Sequence, residues 1–231
     1  MPAAPFPILY EDNHLLAVVK PAQLPTMGVA AGKPSLLTIA KDYIKRKYDK
    51  PGNVYLGIVS RLDAPVTGVL VLARTSKAAS RLTDQFRRGT VDKSYWALVD
   101  EPPDPERAEC IDWMRKDERH RKMHVTHADH PEAKEARLRY RTIVQLRRAT
   151  LLEVRLETGR KHQIRVQLAR RGHPIIGDRK YGSPTTFADG IALHARYLEI
   201  IHPVRKTPLR LTAPVPSCWR AFGVTEDLEA S

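Results

Sequence analysis

The sequence predicts an α+β fold. Three observations point there: apolar runs of strand length outnumber helical segments, strands and helices do not alternate in the order of a doubly wound sheet, and no internal repeat or low-complexity linker breaks the chain. Ile8–Tyr10 and Leu15–Val19 are two such runs, and the polar Glu11-Asp12-Asn13-His14 between them reads as a hairpin turn. Residues 20–34, with three prolines and two glycines, read as a loop. Leu36, Leu37, Ala40 and Ile44 recur at helical spacing behind a Ser35 cap, and Lys45, Arg46 and Lys47 close that helix. Val54–Leu62 is expected to be a strand that delivers Arg61 and Asp63 to its end. A turn at Ala64–Gly68 follows, and then a continuous apolar strand, Val69–Ala73, covered on both faces. Ser76 is the expected cap of a helix that aligns Ala79, Leu82 and Phe86 and stops at Gly89.

Val91–Val99 reads as a strand on which Tyr95, Ala97 and Val99 share one face and Trp96 and Leu98 the other. Pro102, Pro103 and Pro105 end regular pairing there. Arg115–His130 is polar, basic and histidine-rich, either a long hairpin or a mobile surface loop. Leu138–Val144 and Leu151–Leu156 alternate as paired strands around a turn at Gln145–Ala149. Gln163–Arg171 is a helix ended by Gly172, and Pro174–Pro216 reads as short strands and proline turns.

The chain has 231 residues and a hydrophobic fraction of 42%, ordinary for a globular protein and too high for a disordered one. Lys and Arg total 39 against 26 Asp and Glu, a formal net charge of +13. That excess favours a polyanionic partner, with nucleic acid ahead of an acidic membrane surface. Cys110 and Cys218 lie far apart without a CxxC spacing, so neither a zinc site nor a disulfide framework is indicated. No Lys or Arg precedes Lys20, which excludes a signal peptide, and no apolar run is long enough to span a bilayer. A soluble, cytoplasmic protein is expected.

Three segments could carry chemistry. Arg61-Leu62-Asp63 places a carboxylate at a strand end before a turn, either as a group exposed to a cleft or as a turn cap that accepts local N–H bonds. Thr158-Gly159-Arg160-Lys161-His162-Gln163-Ile164-Arg165 joins a strand to a helix; it could hold phosphate or be a solvated basic face. His120, His124, His127 and His130 are spaced like metal ligands, but no carboxylate or cysteine signature accompanies them, and RNA-facing imidazoles fit better.

In order along the chain, these blocks resemble the RluA family of pseudouridine synthases. Ile8–His14 with Val19-Lys20-Pro21 is similar to the family's opening strands. Arg61-Leu62-Asp63 followed by Thr67–Ala73 is similar to its catalytic block, and Lys93–Val99 to the strand that supplies an active-site tyrosine. Thr158–Val166, Gly172–Asp178 and Tyr181-Gly182 resemble its other signature. Ser60, Val66-Thr67-Gly68, Lys161 and Gln167 depart from the usual pattern.

The resemblance implies a mixed, largely antiparallel sheet with flanking helices, forming a single catalytic domain over 6–216 with a tail at 217–231 and no separate upstream RNA-binding domain. It implies an RNA pseudouridine synthase acting on stem-loops of ribosomal or transfer RNA. Asp63 would be the catalytic carboxylate, Tyr95 a base-stacking proton acceptor, and Arg165 the counter-charge to Asp63. Arg61, Arg160, Lys161, His162, Gln163 and Ile164 would meet the RNA. Neither cofactor nor metal is expected, and the protein is expected to be a monomer. An RNA-binding module without catalysis would lack one of Asp63, Tyr95 and Arg165, and all three are present.

Overall fold

The computed structural model describes residues 4–30, 32–120 and 122–229. In chain order the strands and α-helices are β1 (Ile8–Glu11), β2 (Leu15–Lys20), α1 (Leu36–Lys47), β3 (Gly57–Ile58), β4 (Thr67–Ala73), α2 (Ser76–Arg88), β5 (Asp92–Val99), β6 (Arg107–Asp117), β7 (Lys122–Thr126), β8 (Lys134–Leu146), β9 (Ala149–Leu156), α3 (Gln163–Arg170), β10 (Leu193–Ile201) and β11 (Pro208–Thr212). The architecture is α+β, and every pairing between strands with a described register is antiparallel. The chain forms two compact units, one from the residues up to Lys93 with Ala195–Pro214, the other from Ser94–His194 with the residues from Val215.

In the first unit the strands run in the order β1-β2-β4-β10, with β3 also on β4 and β11 on β10. All seven residues of β4 are buried, as its unbroken apolar run predicts. Leu15 and Ala17 of β2 join Val69, Val71 and Ala73 of β4 in one core with Ala78 and Leu82 of α2. Each such Leu or Val contributes about 1.5–3 kcal/mol by leaving water. α1 starts and stops where the sequence reading places it. The Ser35 hydroxyl accepts the Thr38 N–H, and the Thr38 hydroxyl in turn accepts the Ser35 N–H. For α2 the cap is Thr75 rather than Ser76. Thr75 is the last extended residue, and its hydroxyl accepts the Ala78 N–H at 3.1 Å.

The strand expected over Val54–Leu62 shrinks to Gly57–Ile58. The reason is edge supply. β2 pairs along β4 from Leu15 opposite Ala73 to Lys20 opposite Gly68, so one edge of β4 is full. β3 takes only Leu72 and Ala73 of the other edge, whose neighbour farther along is β10. There Gly68, at φ +118°, lies so close to Ala195 that an added Cβ would sit 2.3 Å from the Ala195 carbonyl oxygen.

In the second unit the order is β5-β9-β8-β6-β7. The Arg115–His130 stretch resolves into a hairpin, with Asp117 of β6 opposite Lys122 of β7; Arg121 lies outside the described residues. The β8–β9 turn is tighter than expected, with Leu146 already opposite Ala149. The stretch set apart as a tail sends Trp219 into this unit, buried against Phe187 and His194.

The β1–β2 turn is tied down by Asp12. Its carboxylate accepts the backbone N–H groups of His14 and Leu15 at 2.7 and 2.8 Å, the Tyr10 hydroxyl at 2.9 Å, and lies 2.9 Å from His202 Nε2. Burial pushes this carboxyl up, but those hydrogen bonds outweigh it and bring its pKa down to about 2. A depressed folded pKa gives stability that is present above the unfolded value and lost as pH falls towards about 2. Asp12→Asn should therefore lower stability by about 2 kcal/mol at neutral pH, with the difference from wild type closing in acid. Urea denaturation at several pH values measures both effects.

Candidate active site

Asp63 belongs to the first unit, in the segment that leaves β3 without a strand partner. Its backbone is fixed on both sides from the loop after β2. Ahead of it, the buried Thr26 hydroxyl donates to the Leu62 carbonyl at 2.8 Å and accepts the Leu62 N–H at 3.2 Å. One side chain thus replaces both hydrogen bonds that a ladder would have given Leu62. Behind it, the fully buried Lys20 ammonium donates to the carbonyls of Pro21, Leu24 and Ala64 at 2.7, 2.8 and 3.0 Å. Val66 N–H closes the turn on the Asp63 carbonyl at 3.1 Å. Asp63 itself is partly exposed and Arg61 is exposed.

In the second unit Tyr95 lies on β5 opposite Val154 of β9, partly exposed between the buried Ser94 and Trp96. α3 carries Arg165, whose side chain is 6% exposed. The resemblance gives its guanidinium to Asp63 as a counter-charge; within its own unit the fork is also held by Asp178. Arg165 Nε donates to Oδ2 at 2.6 Å and a terminal nitrogen to Oδ1 at 2.9 Å. The guanidinium also lies 5.0 Å from the centre of the Tyr181 ring. Asp178 and Tyr181 come from one short 3-10 turn, Arg179–Tyr181, so a single local structure supplies both contacts.

The other residues of the basic signature divide. Arg160 and Lys161 are exposed, with Arg160 Nε donating to the Glu135 carbonyl at 2.9 Å. His162 is half-buried, in the left-handed region at φ +55°, with Nδ1 2.7 Å from the Tyr181 hydroxyl. Gln163 and Ile164, expected among the RNA contacts, are instead buried. The Gln163 amide is engaged inside the protein, by Thr158 Oγ1 and the Arg160 N–H on its oxygen and by the Arg137 carbonyl and Gln167 on its nitrogen. Gln167 continues the relay to the Cys110 and Ala136 carbonyls and to Asp112 Oδ2, which also receives Arg171. These amides fix how α3 is turned, and thereby where Arg165 starts.

Of the four spaced histidines, His120 and His124 lie 2.8 and 3.4 Å from Asp117, and His130 Nδ1 accepts the Glu132 N–H. Among the described residues no group of three or more His, Cys, Asp and Glu is placed to hold a metal ion.

A family model described as RNA pseudouridylate synthase matches residues 14–170, a span that contains Asp63, Tyr95 and Arg165. The chain is 37% identical over 242 residues to ribosomal large subunit pseudouridine synthase D of Xylella fastidiosa, covering 96% of this chain and 70% of that protein. The chain belongs to the RluA family of RNA pseudouridine synthases. Its likeness extends to the synthase D of Escherichia coli K12, at 33% identity over 92% of this chain and 68% of that one. The fold matches that of human RNA pseudouridylate synthase domain containing 4, with a TM-score of 0.78 at 24% identity, covering 94% of this chain and 93% of that one. The family isomerises uridine in RNA with a catalytic aspartate. No helix among the described residues is long and apolar enough to cross a membrane.

Thr26, Asp178 and Tyr181 were not among the site residues read from the sequence. Asp178 and Tyr181 lie inside quoted family blocks, so position was visible but partnership was not. Thr26 carries no periodic signal within its Pro/Gly loop. Removing Asp178 takes a carboxylate with two hydrogen bonds away from a cation that cannot deprotonate, so Asp178→Ala should lower stability by about 3–5 kcal/mol. The double variant Asp178→Ala/Arg165→Met should recover most of that loss. Denaturant melts of the two single variants and the double variant give the coupling directly.

Proposed function

We propose that this synthase converts uridine to pseudouridine in large-subunit ribosomal RNA, with Asp63 as the reacting carboxylate. The observation that carries the assignment is the fixing of the chain on either side of Asp63, by Thr26 on Leu62 and by Lys20 on Ala64. That spends a buried lysine and a buried hydroxyl on holding one partly exposed carboxylate. The choice of RNA follows the relatives named for the large ribosomal subunit.

The reaction breaks the bond from the ribose to uracil N1 and forms one from the ribose to uracil C5. Substrate and product are isomers, so no electron acceptor or group donor is required. Asp63 acts at the ribose, at the uracil ring, or by assisting glycal formation. Tyr95 stacks beside the base and accepts a proton from the sugar. Arg165, held flat by Asp178 and Tyr181, supplies positive charge to the site. Arg61 supports the stack left when the target nucleotide is flipped out, and Arg160, Lys161 and His162 meet the RNA backbone. All three reacting groups lie on one chain, which fits a monomer, and we place the enzyme in the cytoplasm with its RNA.

Asp63→Asn is nearly isosteric and removes the charge. It should abolish pseudouridine formation on a large-subunit RNA transcript while RNA affinity stays near wild type. An active Asp63→Asn enzyme would remove Asp63 from the chemistry. Tyr95→Phe keeps the ring and deletes the hydroxyl. Its single-turnover rate at saturating RNA should fall about 100-fold with an unchanged melting temperature. Mapping pseudouridine in cells with and without the protein tests the target, and losses confined to transfer RNA would overturn the ribosomal assignment.

A further inference from the structure

Three segments of the second unit meet at the Tyr181 hydroxyl. It accepts the backbone N–H of Met123 from β7 at 3.1 Å and lies 2.7 Å from Nδ1 of His162, the residue before α3. Tyr181 itself ends the 3-10 turn that carries Asp178. The residue immediately before each member of this junction is a lysine: Lys122 before Met123, Lys161 before His162 and Lys180 before Tyr181. Side chains from three separate segments are thereby rooted around one point. Lys161 is exposed, and Lys122 and Lys180 are partly so.

The charges respond to that crowding. Burial, together with the positive charges of Arg165, Lys161 and Lys122, pushes the Lys180 ammonium below the usual lysine range. Asp178 is the neighbour that opposes the shift, and its carboxylate is already given to Arg165 in two hydrogen bonds. Among the described residues, none of the three lysines forms an ion pair. Elsewhere in the same unit Arg137, Arg139, Arg141 and Arg155 each meet a glutamate. The acids nearby are already engaged, Asp178 by Arg165 and Asp117, opposite Lys122, by His120 and His124; a like-charge group on such a junction, open to solvent, is arranged for an anion from outside.

We propose that Lys122, Lys161 and Lys180 form a binding site for a backbone phosphate of the substrate RNA, assembled by the Tyr181 junction and set beside Arg165. The proposal rests on the reading of this chain as an enzyme acting on RNA, and it adds two lysines and an organising tyrosine to that reading. Lysine suits the task, because an ammonium on a flexible stem follows a phosphate through changes of angle that a planar fork would resist. The junction also links hairpin β6–β7 to Arg165, since the ring whose hydroxyl holds β7 is the ring against the guanidinium.

The test is binding of a large-subunit ribosomal RNA transcript over a range of salt concentrations. Lys122→Gln, Lys180→Gln and the triple lysine variant are compared with Lys50→Gln, an exposed control. The triple variant should weaken binding about tenfold and reduce the slope of log affinity against log salt by about 0.7–0.9, the share of one phosphate contact, and each single variant should give a smaller part of both changes. Melting temperatures should be no lower than wild type, because deleting a member of a like-charge group relieves repulsion. Tyr181→Phe, with every lysine kept, should also weaken binding. A triple variant with wild-type affinity and slope would overturn the proposal, as would a slope change no larger than that of Lys50→Gln. Asp63→Asn separates this site from the catalytic assignment: it should show the full wild-type salt slope with no turnover, and an active Asp63→Asn enzyme would count against Asp63 alone.

Discussion

A guanidinium cannot shed its proton to enter a protein interior, so a buried arginine obliges the fold to bring it a carboxylate. In this synthase that obligation organises much of the second unit. α3 is buried from Gln163 to Leu168, and Arg165 stands in the middle of that run. The chain turns at Gly177, where φ is +86° and an added Cβ would meet the Phe187 side chain at 2.6 Å, and delivers Asp178 to the guanidinium. Gln163 and Gln167, two positions away on either side and one turn apart from each other, follow the same logic. Gln163 and Gln167 hydrogen-bond each other and then the carbonyls of neighbouring strands, so the helix has no rotational latitude. An arginine so confined presents its charge in one direction.

What could be read from the sequence follows the range of the forces involved. α1 was legible to the residue because its signals are local: a hydroxyl cap, a return hydroxyl three residues on, and a basic last turn. β4 was legible over Val69–Ala73 because five apolar residues in succession have no other home, while Thr67 and Gly68, read as part of the turn, extend it toward Lys20. The strand before Asp63 was overextended because its length is set by how much of the β4 edge remains, and that depends on residues more than a hundred positions away. That Asp178 would also hold Arg165 could not be read, for a related reason. Two aspartates stood in family blocks, and no spacing rule says which of them a fork will reach. Gln163 and Ile164 shared a block with exposed basic residues, and only the phase of α3 separates those that face inward.

The net charge of +13 is distributed unevenly. Arginines alternate along β8, with Arg155 on β9 beside them, and glutamates from β6, β9 and just beyond β9 answer them: Arg139 with Glu109 and Glu157, Arg141 and Arg155 with Glu153. Such exposed pairs add little stability, about 0–1 kcal/mol each. Their larger effect is to make that strand face close to neutral despite its many arginines. Composition reported the excess of cations but not that so many of them are already spoken for.

Gly68 and Leu62 bound the segment that contains Asp63. At one end Gly68 has no room for a side chain against Ala195, and at the other Leu62 is tied in both directions to Thr26. The five residues between them run from one immovable point to another. Adding or removing a residue there would displace the carboxylate or break an anchor, so the spacing of this segment is held as tightly as its residues.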